Sequence, residues 1–298
     1  EIDVSPSDWL NADWLNMQGR VEGGTFSNFE VVTANCHSAI NTNNIGAGPY
    51  YRPQAVTFIN GTIRFVTGTT DGRGVGCNNV DDFLFRNVWI YNAASSVQVS
   101  GRRMKWVSCG FVDMQLNVGN VSECAQLVAV MSRSEAALVV TIADMLFEHC
   151  VFDTRNSTNQ CVGSFAFITY TTGAGAQPIP LNSVTLVNGL ALLGANHGFI
   201  LESPLSIANS AVINDQIITD NFVAVASGTA VNKTGQVNYA PAAWTDEGLN
   251  VTLGAIGNTS ILQSVLGLGL NYQPTAGSPL LSAGAHSEYR MDADGKLF

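Results

Sequence analysis

Apolar and polar positions alternate along this chain in a frame best seen at residues 56–65, Val-Thr-Phe-Ile-Asn-Gly-Thr-Ile-Arg-Phe. With Asn60 as origin, apolar residues stand four and two places before it (Val56, Phe58) and three places after it (Ile63). The frame recurs with origins at Asn87, Ser108, His149, Asn188 and Asn214. Four before the origin the chain reads Val56, Phe83, Met104, Met145, Val184, Ser210, and two before it Phe58, Phe85, Trp106, Phe147, Leu186, Val212. Three after come Ile63, Ile90, Phe111, Phe152, Ala191 and Ile217. Period-two alternation marks strands, and a polar residue held at one place between apolar ones marks a recurring turn. Six coils of a parallel β-solenoid are predicted.

Residues 19–31 read as a degenerate first turn, with Gly23 near the origin, Val21 two before and Phe26 three after. A second strand recurs at 96–100, 127–131, 165–168, 198–201 and 222–226, and a third segment, such as 137–142, leads to the next turn. Three strands per coil make a prism, for which the crossover rule favours the right hand. The long coils require insertions at 115–125, 155–161 and 171–180. Ser5 to Met17, with Trp9, Leu10, Trp14 and Leu15, predict a short helix or plug over the first end, because a solenoid's open ends expose strand edges. The expected organisation is an N-terminal cap over 1–19, a solenoid over 20–284 with irregular last coils, and a tail over 285–298.

Composition narrows the classes. Charged residues are 12%, Lys+Arg 13 against Asp+Glu 23, and the net charge is −10 with no basic cluster, which excludes a nucleic-acid binder. No run of 18 apolar residues offers a membrane span. The six cysteines fall into three pairs at matching places: Cys36 with Cys77, Cys109 with Cys150, Cys124 with Cys161. Cys109 and Cys150 each follow an origin by one residue, and stacked equivalents ~4.8 Å apart come within disulfide range. The alternative for that pair is two stacked buried thiols. Paired cysteines, with a first residue Glu1 rather than Met, suggest a processed, secreted protein.

The coil pattern resembles the right-handed parallel β-helices that include the pectate-lyase-like proteins. The stretch 271–284, Asn-Tyr-Gln-Pro-Thr-Ala-Gly-Ser-Pro-Leu-Leu-Ser-Ala-Gly, followed by Asp292-Ala-Asp-Gly295, is similar to the closing segment of many secreted bacterial β-helix proteins. The resemblance implies an all-β, three-sheet right-handed parallel β-helix and export. It implies no single activity, since the group mixes lyases, hydrolases, fibres, adhesins and structural proteins.

Glycan-cleaving members carry converging carboxylates with Arg or Lys. Candidates are Asp81, Asp82, Arg86, Glu148, Asp113 and Asp153, of which Asp113 and Asp153 take near-equivalent places in consecutive coils. With three lysines and neither a Gly-His-Gly nor an Arg-Ile-Lys segment, the chain offers little for gripping an acidic glycan. No cofactor or metal site is expected: His37, His197 and His286 do not share zinc spacing with cysteines, and Asp292 and Asp294 lack a calcium loop. Asn120, Asn156, Asn232, Asn250 and Asn258 stand in sequons open to glycosylation, whereas Asn60, also in a sequon, is expected to point inward. Outward strand positions are often apolar: Ile59, Val107, Val187, Ile213, Trp89, Tyr91, Val112, Val151, Leu190, Leu192, Ile218. Either the insertions cover that face or another copy does. The expectation is therefore a secreted, self-assembling structural subunit forming a fibre or surface layer. Alternatives are a polysaccharide lyase or hydrolase with Asp113 and Asp153 near its cleft, and a glycan-binding adhesin or virion fibre using Trp89 and Tyr91.

Overall fold

A computed structural model describes residues 14–17, 21–33, 36–42, 52–66, 72–115, 126–135, 138–140, 142–154, 156–157, 164–172, 184–187, 189–193, 197–201, 206–208, 211–214, 222–225, 228–231, 245–246, 251–253, 272 and 275–277. These residues form strands, bridges and turns, with no helix among them. The first coils run β1 (Leu15–Asn16), β2 (Glu22–Thr33), β3 (Ser38–Asn41), β4 (Gln54–Phe65), β5 (Arg73–Asp81), β6 (Leu84–Ala93) and β7 (Ser95–Arg102). Alternate strands pair in parallel. One ladder joins β1, β3, β5 and β7, then continues through Gln126–Glu135, Ser164–Thr172 and His197–Leu201. The other joins β2, β4 and β6, then divides at a corner into two arms. The first arm continues through Lys105–Val107, Met145–Glu148, Val184–Val187 and Ser206–Ala208. The second continues through Gly110–Met114, Val151–Asp153, Leu190–Leu193 and Ala211–Asn214. The chain is a β-helix-like solenoid of predominantly parallel strands.

The corners explain the sequence frame. Asn28, Asn60, Asn87, Ser108 and His149 all have φ between 51° and 54°. Asparagine tolerates this left-handed region better than most residues, which accounts for its frequency here. One left-handed residue reverses side-chain parity, so positions two before and one after the corner both face the core. A second corner row lies five residues upstream: Gly23, Ala55, Asp82, Arg103 and Asp144 all have positive φ. A five-residue step between left-handed corners thus sets one side of each of these coils.

Inside, identical positions stack. Phe26, Phe58, Phe85, Trp106 and Phe147 form a column with centroid spacings of 5.1, 4.7, 3.8 and 6.0 Å and interplanar angles of 12° or less. Phe111 and Phe152 continue a second column at 5.3 Å. Phe58, Phe85, Trp106 and Phe111 are fully buried, each contributing about 1.5–3 kcal/mol or more of hydrophobic stabilisation. The straight ladder buries polar groups that satisfy one another. Asn78 donates its backbone N–H to Thr42 Oγ1 (2.9 Å), and Ser100 Oγ donates to Asn78 Oδ1 (3.1 Å).

Several expectations need correcting. In the first coil the origin of the frame is Asn28, not Gly23, which belongs to the upstream corner row, because Phe26 pairs with Phe58 and Val31 with Ile63. In the sixth, Leu186 pairs with Ile207 and Ala191 with Val212, so the frame starts five residues earlier and Asn214 lies opposite Leu193. Val212 is apolar in either frame, which is why the pattern tolerated the slip. Phe222–Val225 is not a coil strand; it pairs antiparallel with Gly228–Val231. Leu138–Val140 likewise folds back antiparallel on Arg133–Glu135. Leu15–Asn16 is a strand on Ile40–Asn41, not part of a helix. Residues 1–13, the insertion at 116–125, the segment 261–271 and the tail at 285–298 lie outside the described residues.

Of the two readings of Cys109 and Cys150 the thiol one holds, while the expected Cys36–Cys77 bond is not formed. Cys77, Cys109 and Cys150 are buried thiols in no disulfide. Cys109 and Cys150 do occupy equivalent places in adjacent coils, since Gly110 pairs with Val151. Their hydrogens go to backbone oxygens, Cys109 Sγ to Val107 (3.4 Å) and Cys150 Sγ to Trp106 (3.3 Å). Burial pushes the Cys77 thiol up to about 12 and Cys150 well above its ordinary value, so neither is a ready thiolate. Register explains the absent Cys36–Cys77 bond: Thr42, not Cys36, comes level with Cys77, donating its amide to Gly76 O. Cys124 and Cys161 lie outside the described residues.

Candidate functional site

Three outer surfaces gather chemistry-bearing side chains. The first is the row of corners. Asn87 Nδ2 donates to Asn60 Oδ1 (3.0 Å), and Asn60 Nδ2 donates to Asn28 Oδ1 (3.3 Å), making an amide ladder along the coils. Asn60 is exposed, contrary to the inward placement expected, because the left-handed corner turns its side chain out. Ser108 and His149 continue the row of corners.

Beside that ladder lies an aromatic face. Trp89 Nε1 donates to Asn87 Oδ1 (3.1 Å), which fixes the indole against the second arm. Tyr91 stacks at 6.2 Å on one side of it and Tyr272 at 5.8 Å on another, while the Arg64 guanidinium sits 5.4 Å from the Tyr91 ring centre. Tyr272 donates its hydroxyl to Asp153 Oδ2 (2.9 Å), so the chain's own later segment reaches this face. Val107, Val112, Val151 and Leu190 are buried, and Ile59, Trp89 and Tyr91 are partly so. The second arm's part of the apolar outer face anticipated from sequence is therefore covered within the chain at Val112, Val151 and Leu190, while the side chains of Val187, Leu192, Ile213 and Ile218 lie outside the described residues. Gly110 makes the indole's seat: a Cβ there would lie 2.0 Å from the Trp89 ring. Gly110→Ala is expected to cost about 1–3 kcal/mol, as overpacking does, and to red-shift tryptophan fluorescence as Trp89 is lifted into water. Thermal melts and emission spectra check both.

The third surface is a charged corner that sequence reasoning found only in part. Asp81 accepts Arg102 Nε (2.9 Å) and Arg52 Nη1 (3.2 Å) and pairs closely with Arg102 Nη2. Asp82 accepts Arg103 Nε (2.6 Å) and Nη2 (2.8 Å). Burial alone would raise the Asp81 carboxyl, but the hydrogen bond from Arg102 and the charge and hydrogen bond of Arg52 carry it below its ordinary value. The Arg103 hydrogen bond lowers Asp82. Asp82, Arg103 and Asp144 are successive members of the upstream corner row, so their charges alternate from coil to coil. The five-residue step from each origin was the signal that would have revealed this row.

The proposed acids do not form a pair of like partners. Asp153 is level with Val112, one residue short of Asp113. Asp113 Oδ1 accepts the Asn156 amide (3.0 Å), bracing a turn, and Asp153 anchors Tyr272. Arg86 and Glu148 stand in one outward row with Val107 between them. Asn156 is exposed, while Asn120, Asn232, Asn250 and Asn258 lie outside the described residues. Among the described residues, no three of His, Cys, Asp and Glu converge to hold a metal, and no helix is long and apolar enough to cross a membrane. Compared with known proteins, the chain matches no family model, no curated protein and no solved structure.

Proposed function

We propose that this chain is an extracellular structural subunit of the right-handed parallel β-helix kind that assembles with copies of itself through a coil end. One observation carries the reading. β2 is exposed along most of its 12 residues, whereas Val107, Val112, Val151 and Leu190 in the outward rows of later coils are buried. Val32 and Val66, the two exposed large apolar side chains among the described residues, also lie at this end, with Val66 donating its amide to Thr33 O. A long, exposed edge strand, with β4 as its partner among the described residues, is a template for pairing with another chain. The low charged content and the sequons support an extracellular setting. Light scattering behind size exclusion, with electron micrographs of the same fractions, tests the reading: mass should rise with concentration, and a stable monomer at high concentration would remove it.

A second reading has its own support. Trp89, Tyr91 and Tyr272 beside the amide ladder combine aromatic faces with neutral donors and acceptors, the chemistry that holds sugars in an adhesin or virion fibre. Glycan-array binding lost in Trp89→Ala would favour it. A lyase or hydrolase draws less support, because Asp113 and Asp153 are both engaged in holding the chain.

A further inference from the structure

Asn60, Gly61 and Thr62 form an Asn-Gly-Thr sequon that the left-handed corner sorts onto two faces. Asn60, with φ 54°, is exposed. Gly61 faces the core, where an added Cβ would lie 2.0 Å from the Phe29 ring, so no side chain stands between the other two. Thr62 is level with Glu30 and Trp89 on the outside and is half-buried. The two side chains that mark a sequon therefore share one outer surface.

The amide ladder fixes which hydrogen of Asn60 is engaged. Asn60 Oδ1 accepts from Asn87 Nδ2 (3.0 Å) in the next coil, and Asn60 Nδ2 donates to Asn28 Oδ1 (3.3 Å) in the preceding one. Its C=O and its donated N–H thus point in opposite directions along the solenoid axis, as they do in a trans peptide unit. The second hydrogen of Nδ2 lies on the oxygen's side of the C–N bond and points away from both neighbours. A sugar on this nitrogen makes a secondary amide, and secondary amides keep their N–H trans to the C=O. The hydrogen used by the ladder is therefore the one a glycosylated Asn60 retains. The other is the one a sugar replaces.

We infer that Asn60 is an N-glycosylation site that carries its sugar without breaking the amide ladder. The co-substrate is an oligosaccharide linked to a lipid diphosphate. Asn60 Nδ2 bonds to the anomeric carbon as the bond from that carbon to the diphosphate oxygen breaks. The lipid diphosphate leaves with the electron pair, and Nδ2 gives up its second proton. This inference rests on the extracellular setting proposed above and is independent of self-assembly.

The test is the full chain made in a eukaryotic cell line behind a cleavable signal segment. Peptides from the medium and from the cells are treated with peptide N-glycosidase in heavy-oxygen water, which turns each sugar-bearing asparagine into a labelled aspartate. The peptide containing Asn60 should carry the label. Thr62→Ala, which removes the hydroxyl that marks the sequon and leaves Asn60 in place, should abolish the label there alone. The native protein then reads the ladder. Trimming each glycan to its first sugar keeps the N–H that bonds Asn28. Complete removal leaves an aspartate, which can accept from Asn87 but cannot donate to Asn28. The thermal midpoint should therefore be lower after complete removal than after trimming, and this difference should be smaller in Thr62→Ala. An unlabelled Asn60 peptide in the secreted chain overturns the inference and leaves the extracellular setting standing. A labelled peptide found only inside the cells supports the inference and counts against that setting; an unlabelled chain retained in the cells overturns both. Equal differences in wild type and Thr62→Ala would overturn the claim that the sugar-bearing amide stays in the ladder.

Discussion

Trp106→Ala is expected to remove about 3–5 kcal/mol from the unfolding free energy, the range for deleting a large buried aromatic. Trp106 is fully buried and sandwiched in the aromatic column, 3.8 Å from Phe85 and 6.0 Å from Phe147, both within 3° of parallel. Its removal leaves a void in the middle of a stack whose neighbours are held at fixed height by parallel ladders, so the gap cannot collapse. Trp106→Phe makes the contrast. The indole N–H is buried with no hydrogen-bond partner, at a cost of about 1–3 kcal/mol. Phenylalanine removes that orphan donor while keeping a ring in the column, so the loss should stay within about 1 kcal/mol. Urea unfolding of the two variants checks both; equal losses would mean that the stack contributes little.

Asp81→Asn is expected to have the next largest effect, about 2 kcal/mol. Removing one partner from a buried charge pair costs about 3–5 kcal/mol, but Arg52 and Arg102 remain partly solvated, which lowers the figure. The effect depends on pH. With its folded pKa below the ordinary Asp value of about 3.9, Asp81 contributes stability that is fully present above that value and is lost as pH falls through the folded pKa. Asp82 shifts in the same direction and adds a smaller, more solvated share. The gap between wild type and Asp81→Asn should therefore be constant from neutral pH down to about 5 and shrink below about 4. A gap that widens on acidification would contradict the assignment. The thermal midpoint measured against pH reads this directly.

Much of the solenoid was legible because stacking repeats one chemical environment from coil to coil. A column that holds Phe85 also holds Trp106 and Phe147, so apolar residues recur at the same offset from each corner. Asn60 and Asn87 announced the corner because asparagine suits positive φ. The frame misled where two offsets were both apolar, as at Val212, and where Gly23, a corner of the upstream row, stood in for the origin. The candidate surfaces were less legible. Asp81 and Asp82 were in view, but Arg52, Arg102 and Arg103 reach them only across coils. Tyr272 lies 119 residues along the chain from the carboxylate it anchors on, a contact no local pattern encodes.

By itself the sequence determined the class of structure: period-two apolar alternation around recurring asparagines commits the chain to stacked parallel coils. Only tertiary structure decided the register of the first and sixth coils, the outward turn of Asn60, the thiol state of Cys109 and Cys150, and which surfaces stay open to solvent. The division has one physical cause. Alternation records which side of a strand meets the core, whereas the register between coils and the return of a distant segment are settled by pairing between strands, and no single strand's pattern contains them.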